Sequence, residues 1–359
     1  MIPGDEGPAA RNFARAIARA AGRLRREIRF MEVCGTHTMA IHEAGLKSLL
    51  PDNLKLVSGP GCPVCVTEKS FIDQAVLIGK EYDACLVTFG DLVRVPGSFG
   101  SLASYRAEGG NIKIVYSPLD AVAIAQGQES RPTVFLGVGF ETTVPTIAAT
   151  LKTAVAKGVE NLFVISAFKT IHPPLKILAA KDDLDGFLLP GHVSAILGSD
   201  CFEYLPRDFR KAGAVAGFEG LDILQALGDL VRMTADNSPR IINDYRRVVR
   251  SHGNPTARAL MDEVFAPCDT SWRGLGVIPG SGLIPKGAYS RFDASVHLPV
   301  DVPLAEDDPR CRCASILTGS RTPDQCGLFG RECTPEDPVG PCMVSSEGTC
   351  AAYYKYGAA

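Results

Sequence analysis

The chain has 359 residues, is 46% hydrophobic and carries 37 Lys and Arg against 40 Asp and Glu, a formal net charge of -3. That balance supplies no field suited to nucleic acid or to an anionic membrane surface, and basic residues gather only at Arg23-Leu-Arg-Arg26 and Arg246-Arg247. No apolar run approaches the roughly 20 residues of a membrane-spanning helix, while the length allows more than one hydrophobic core.

The Ala- and Arg-rich segment Ala9 to Arg26 reads as a surface helix and lacks the basic-then-apolar order of a secretory leader. A reducing cytoplasm is therefore expected. In that setting twelve cysteines point to metal or redox chemistry before structural disulfides.

From Arg29 one theme recurs: a short apolar strand, a loop of Gly with Cys, Asp, Glu or His, then a helical pattern. Predicted strands at 29–33, 54–57, 84–88 and 112–116 form a first parallel sheet. Those at 133–138, 162–166, 186–189 and 214–216 form a second of the same build. The fold class expected is α/β, with two similar parallel-sheet domains facing a cleft and a small cysteine-rich iron-sulfur domain. The ranges are 27–128, 129–245, and 246–359 joined by the N-terminal helix within 1–26. Such sheets present their ligands at the carboxyl ends of the strands. Cys34, the Cys62/Cys65 pair and Asp91 then look across the cleft at Glu141 and His192.

The loop Ser58-Gly-Pro-Gly-Cys-Pro-Val-Cys-Val66 places two thiols two residues apart after an apolar strand, at a predicted helix start that favours thiolate. Such a pair holds a metal or exchanges a disulfide. Leu221 to Val264 reads as helical, and the Gly-rich Trp272 to Leu283 does not open a helix as a phosphate-binding loop does. Beyond the Pro-rich connection 299–309, the tail carries Cys311, Cys313, Cys326, Cys333, Cys342 and Cys350 with little apolar periodicity, so a metal staple is expected to order it. Wide spacings without a C-x-x-C favour a four-thiolate iron-sulfur cluster over zinc. Cys85 lies inside an apolar strand, and Cys201 and Cys268 have no cysteine at ligand spacing; all three are expected to be inert.

Cys34-Gly-Thr-His37, Gly59-Pro-Gly-Cys-Pro-Val-Cys65, Thr88-Phe-Gly-Asp91 with Arg94-Val-Pro-Gly-Ser98, Gly139-Phe-Glu-Thr-Thr143, Pro190-Gly-His-Val-Ser194 and Pro341-Cys-Met-Val-Ser-Ser-Glu-Gly348 together resemble the HypD family of nickel-iron hydrogenase maturation factors. The resemblance runs from about residue 29 to 356. It implies two α/β domains with a 4Fe-4S domain, and work with the small chaperone HypC on an iron carrying two cyanides and one carbon monoxide. Cyanide would arrive through HypE and HypF, and the unit would pass to the hydrogenase large subunit. The resemblance makes Cys34 the iron ligand and selects Cys311, Cys326, Cys333 and Cys350 as cluster ligands. His37 is expected to bond a cyanide or move a proton, or else to cap the helix that follows. Asp91, Glu141 and His192 are loop residues for the same site. After the sixth strand the family pattern sets a His directly before the basic residue, where this chain has Phe168-Lys169 and a His only at 172. An assembly scaffold with thiol and iron-sulfur redox capacity is the reading, which leans away from enzymatic turnover without deciding it. A thiol-disulfide oxidoreductase with a structural metal, in which Cys34 is dispensable, and a small-molecule-binding protein are its rivals.

Overall fold

The structure, a computed structural model, describes residues 7–128 and 131–357. Nine parallel strands fall into a five-stranded and a four-stranded sheet, and two more strands form an antiparallel hairpin. In chain order they are β1 (Ile28–Glu32), β2 (Leu54–Ser58), β3 (Cys85–Thr88), β4 (Ile112–Ile114), β5 (Thr133–Gly139), β6 (Leu162–Phe168), β7 (Gly186–Leu189), β8 (Ala212–Val215), β9 (Ile241–Asn243), β10 (Phe265–Trp272) and β11 (Gly276–Pro285). Strands such as β5, buried at every position, carry near-continuous apolar sequence because helices cover both faces of a parallel sheet.

The α/β class with two parallel sheets and a cysteine-rich C-terminal region holds, but the expected grouping of strands does not. The larger sheet runs β2-β1-β7-β8-β9 and the smaller β4-β3-β5-β6. β1 pairs with β7 as well as β2, with Phe30 opposite Gly186 and Glu32 opposite Leu188. The contiguous stretch 85–168 is thus one lobe inserted into the other, and the expected division between 128 and 129 does not coincide with the sheets. Alternation of strand and helix reads the same whether the chain continues one sheet or crosses to another, so periodicity alone cannot reveal the insertion. The helical reading of 221–264 also needs correction. A helix spans Gly220–Ala235, β9 follows as an edge strand, and a second helix spans Pro255–Val264.

One hydrophobic core fills the space between the sheets and continues into the tail, taking in Leu136, Phe187, Trp272, Ile316, Leu317 and Met343. The tail therefore orders partly by burial, against the expectation that it could not. A second core backs the inserted lobe. A third lies under the helix Gly7–Ala21, which packs on Gly220–Ala235 through Ile17, Ala21, Leu227 and Leu230. The N-terminal helix thus belongs to the larger lobe rather than to the tail.

Because neither half of the sequential division owns a complete sheet, an isolated fragment 27–128 is expected to be unfolded, with β1–β2 lacking β7 and β3–β4 lacking β5. Far-UV circular dichroism and the absence of a cooperative urea transition are the measurements; a cooperative transition would contradict the insertion.

Candidate functional site

Both chain crossings between the lobes, 59–84 and 169–185, start at carboxyl ends of strands. Between them they frame a cleft of about 190 Å³ lined by Cys34, Thr36, Gly61, Pro63, Phe140, Thr142, Thr143, His192 and Glu347. Cys34 lies two residues beyond β1 and stands at the N-cap of the helix Gly35–Glu43. Its sulfur is reached by the backbone N–H groups of His37 and Thr36, yet burial dominates, with the nearby Glu347 carboxylate acting in the same direction, and pushes the thiol up to about 11. The resting group is a neutral thiol whose proton a soft cation can displace.

The wall beside Cys34 is backbone against backbone. Gly35 N–H donates to Gly61 O at 3.1 Å, and a Cβ on Gly61 would lie 2.4 Å from the Cys34 nitrogen, so no larger residue fits there. One residue on, Cys62 caps the short helix Pro63–Val66, its sulfur accepting from the Cys65 N–H at 3.2 Å. Cys62 and Cys65 are joined as a disulfide with Cα atoms 5.3 Å apart. Both are buried, and the cleft is lined by their neighbours Gly61 and Pro63 rather than by the sulfurs themselves.

His37 is fully buried and does not cap its helix. Its Nε2–H donates to Gly217 O at 3.0 Å, and its Nδ1 has no partner. Burial lowers it to about 4, so it is neutral at physiological pH. Phe218 lies between His37 and His192, with ring centroids 4.7 and 4.1 Å away. His192 itself lines the cleft. Glu141 turns away from the cleft: it is buried, accepts from the Ile171 N–H at 2.8 Å, and leaves Oε2 without a partner. Burial pushes its carboxyl up to about 7, partly offset by that bond. Asp91 is exposed, on the turn Gly90–Leu92, and is not part of the cleft lining. His172, the displaced histidine, sits against Phe202 and Tyr204, with Nδ1 3.3 Å from the Tyr204 hydroxyl.

The tail supplies what residue-by-residue reading passed over. Thr36 Oγ1 donates to Glu347 Oε1 at 2.7 Å, so a carboxylate closes the cleft above Cys34. Glu347 lies inside the motif Pro341 to Gly348, where its charge was the available signal. The helix Thr349–Tyr356 then packs on Gly35–Glu43, with the His42 and Tyr353 rings 4.3 Å apart. All six tail cysteines line one cavity with Ile316, Leu328, Phe329 and Met343. Within it the Cys313 and Cys342 sulfurs are 2.6 Å apart. Among the described residues no group of three or more His, Cys, Asp or Glu forms a ready-made metal-ion site. The helices Cys313–Leu317 and Pro341–Val344 pack directly on the dithiol helix Pro63–Val66. Arg273, buried between these parts, donates to Thr67 O at 3.1 Å and pairs with Asp307.

The family model for HypD, described as the hydrogenase formation hypA family, matches residues 8–357. The chain belongs to this family. It is 46% identical over 334 residues to the hydrogenase maturation factor HypD of Escherichia coli K12, covering 92% of this chain and 90% of that protein. It is 41% identical to the HypD of Rhizobium leguminosarum bv. viciae, covering 98% and 94%, and 43% identical to HypD1 of Bradyrhizobium diazoefficiens, covering 97% and 94%. No helix among the described residues is long and apolar enough to cross a membrane.

Gly61→Ala forces a Cβ into the Cys34 backbone, so it is expected to cost roughly 1–3 kcal/mol, as overpacking does, and to speed alkylation of Cys34. Denaturant titration and mass-resolved labelling are the measurements. Glu141 makes a separate prediction. Its folded carboxyl titrates near 7 and an unfolded one near 4.5, so the native state holds the extra proton between those values and stability falls as pH rises through that window. Glu141→Gln is expected to flatten this slope and gain stability at pH 8, read from urea midpoints at pH 5 and 8.

Proposed function

We propose that the protein is a hydrogenase maturation scaffold that holds an iron bearing two cyanides and one carbon monoxide at Cys34, together with a HypC partner. HypE, with HypF, supplies the cyanide, and the hydrogenase large subunit receives the finished unit. The observation that carries the reading is the position of Cys34: buried in the lining of a cleft, against the dithiol loop, with the helices of Cys313 and Cys342 from the six-thiol cavity packed on the dithiol helix.

The iron is cargo. Strong-field diatomic ligands satisfy most of its coordination, leaving the chain to offer a soft thiolate and a shaped pocket. Cys34 gives the thiolate, its proton leaving as iron binds, and the second protein donor is assigned to HypC. His192 and the Thr142 and Thr143 hydroxyls line the same space and can donate to cyanide nitrogens. His37 stays neutral behind Phe218, which gives it the role of holding the loop at Gly217 rather than of touching the cargo.

The tail cavity fits a 4Fe-4S cluster by its donor set: six thiols in an otherwise apolar enclosure. Cys311, Cys326, Cys333 and Cys350, which line this cavity, are the four ligands that the family resemblance selects. Such a cluster supplies single electrons. The chain's own residues convert these to thiol chemistry. Cys313 and Cys342 form a touching pair on helices that pack against Pro63–Val66, and the Cys62–Cys65 disulfide takes two electrons and two protons to become a dithiol beside Cys34. Such thiols stay reducible in a reducing cytoplasm, the compartment assigned here.

Cys34→Ser keeps the volume but loses the soft donor. Purified anaerobically with its HypC partner, the variant is expected to retain the fold, the partner and the broad visible absorption of about four irons per chain, while losing the infrared bands of bound cyanide and carbon monoxide. Bands at wild-type intensity would move the iron elsewhere. Stoichiometric zinc without sulfide would remove the cluster.

A further inference from the structure

A second cleft, of about 270 Å³, opens between the start of the helix Lys69–Glu81, the end of β6 and β10, with Thr67, two residues past Cys65, in its wall. Lys169 forms its inner wall. This residue is only 2% exposed, its backbone bridges to Gly282, and its ammonium donates to Thr270 Oγ1 at 2.8 Å and lies 5.9 Å from the Trp272 ring centroid. Among the described residues no carboxylate lies within ion-pairing distance of it. Glu68, the carboxylate of this cleft, accepts from the Ser271 hydroxyl. Burial lowers the Lys169 amine to about 8, partly countered by Glu68 and Cys268, so most of it is charged at neutral pH. A buried ammonium using one of its three donors on a hydroxyl, and facing a cavity, calls for an anion.

The other donors around it favour a particular anion. Ser70 contributes a hydroxyl, and the first turn of Lys69–Glu81 has no side-chain cap; the Phe71 N–H is taken by Glu68 O, which leaves the N–H groups of Lys69 and Ser70 to be satisfied. Two free ammonium protons, hydroxyls and a helix N-terminus outnumber what a carboxylate accepts and match the three oxygens of a phosphoryl group. Glu68, which lines the same cleft and acts on Lys169 without ion-pairing with it, suits a hydroxyl or amine on the same ligand. We propose that this cleft binds a small phosphate monoester, its phosphoryl group seated on Lys169 and a hydrogen-bond donor at its far end facing Glu68, as an effector of the dithiol.

The coupling is short. Thr67 lies two residues beyond Cys65, its hydroxyl donates back to Pro63 O at 2.8 Å inside the dithiol turn, and its carbonyl is held by Arg273. A ligand that fixes Thr67 and Glu68 therefore stiffens the turn that carries both sulfurs. The inference is independent of the iron and of the cluster.

Calorimetric titration of the intact protein with inorganic phosphate, glycerol 3-phosphate and acetate at constant ionic strength tests the site, paired with the rate of Cys62–Cys65 reduction by dithiothreitol. Saturable binding is expected for both phosphates, tighter for the glycerol ester, with acetate at least tenfold weaker. Lys169→Met, with an unchanged circular dichroism spectrum, is expected to lose at least tenfold in affinity. Saturating phosphate is expected to change the reduction rate at least twofold in the unaltered chain and not in the variant. Should Lys169→Met fail to fold, Thr270→Val carries the same test with a several-fold loss. Acetate binding as tight as phosphate, affinity indifferent to these substitutions, or a reduction rate indifferent to phosphate would overturn the proposal.

Discussion

The structure depends on β1 being held on both sides. Parallel pairing with β2 brings the loop Gly59 to Cys65 to one flank of Cys34, and pairing with β7 brings Pro190 to His192 to the other. A strand with two neighbours has both edges satisfied, and the residue just beyond its carboxyl end is fixed by two ladders. Val33 is that residue, its N–H donating to Leu188 O, and Cys34 follows directly on it. The inserted lobe follows from the same constraint, because the chain must leave after β2, complete β3 to β6, and return in time for β7 to close on β1. Phe140, Thr142 and Thr143 then face Cys34 from the far side without any strand pairing between the sheets.

The tail is attached to this frame by contacts that each reach a different part of the site. Glu347 meets Thr36 at the cleft, Tyr353 packs tilted against His42 five residues beyond His37, and the Cys313 and Cys342 helices press on the dithiol turn. Loosening the tail therefore exposes Cys34, frees the helix Gly35–Glu43 and uncovers Cys65 together. The cysteine-rich segment is a wall of the site as much as a domain of its own. Metal binding there would tie the order of the wall to the state of the metal.

Much of this was legible in the sequence, for physical reasons that differ by element. The strands announced themselves because a buried parallel strand is a short apolar run between glycines, as in Thr133 to Gly139, and every motif fell at a carboxyl end because parallel sheets place loops there. The helix start at Pro63 was readable from proline after the first cysteine. Partner choice between strands was not readable: β1 carries no mark that says β7 rather than β3, since pairing is set by how the lobes pack. Side-chain direction was equally hidden. Glu141 follows β5 by two residues and turns into the core, while its neighbours Phe140 and Thr142 face the cleft, and nothing in Gly-Phe-Glu-Thr-Thr distinguishes them. β10 and β11 escaped because glycines at 274, 276 and 280 take positive φ, interrupting the alternation that marks a hairpin.

The environment of Cys34 also bears on how tightly such a site could hold a metal. A thiol near 11 costs on the order of 5 kcal/mol to ionise at pH 7, and binding must first overcome that cost. The Thr36 and His37 N–H groups return part of it, whereas Glu347 adds to it. A pocket built for permanent retention would surround the sulfur with positive charge, as reactive thiolates usually are. Here the one charged group bonded above the cleft is a carboxylate. The proposed unit, Fe(II) with two cyanides and one carbon monoxide, is itself net neutral, so it would not offset the Glu347 charge, and an ionised Cys34 would stay beside a like charge. When a competing site offers thiolates of ordinary basicity, departure of the metal lets Cys34 take back its proton, and that return stabilises the empty scaffold. In the role proposed, holding and releasing are thus governed by the same buried proton.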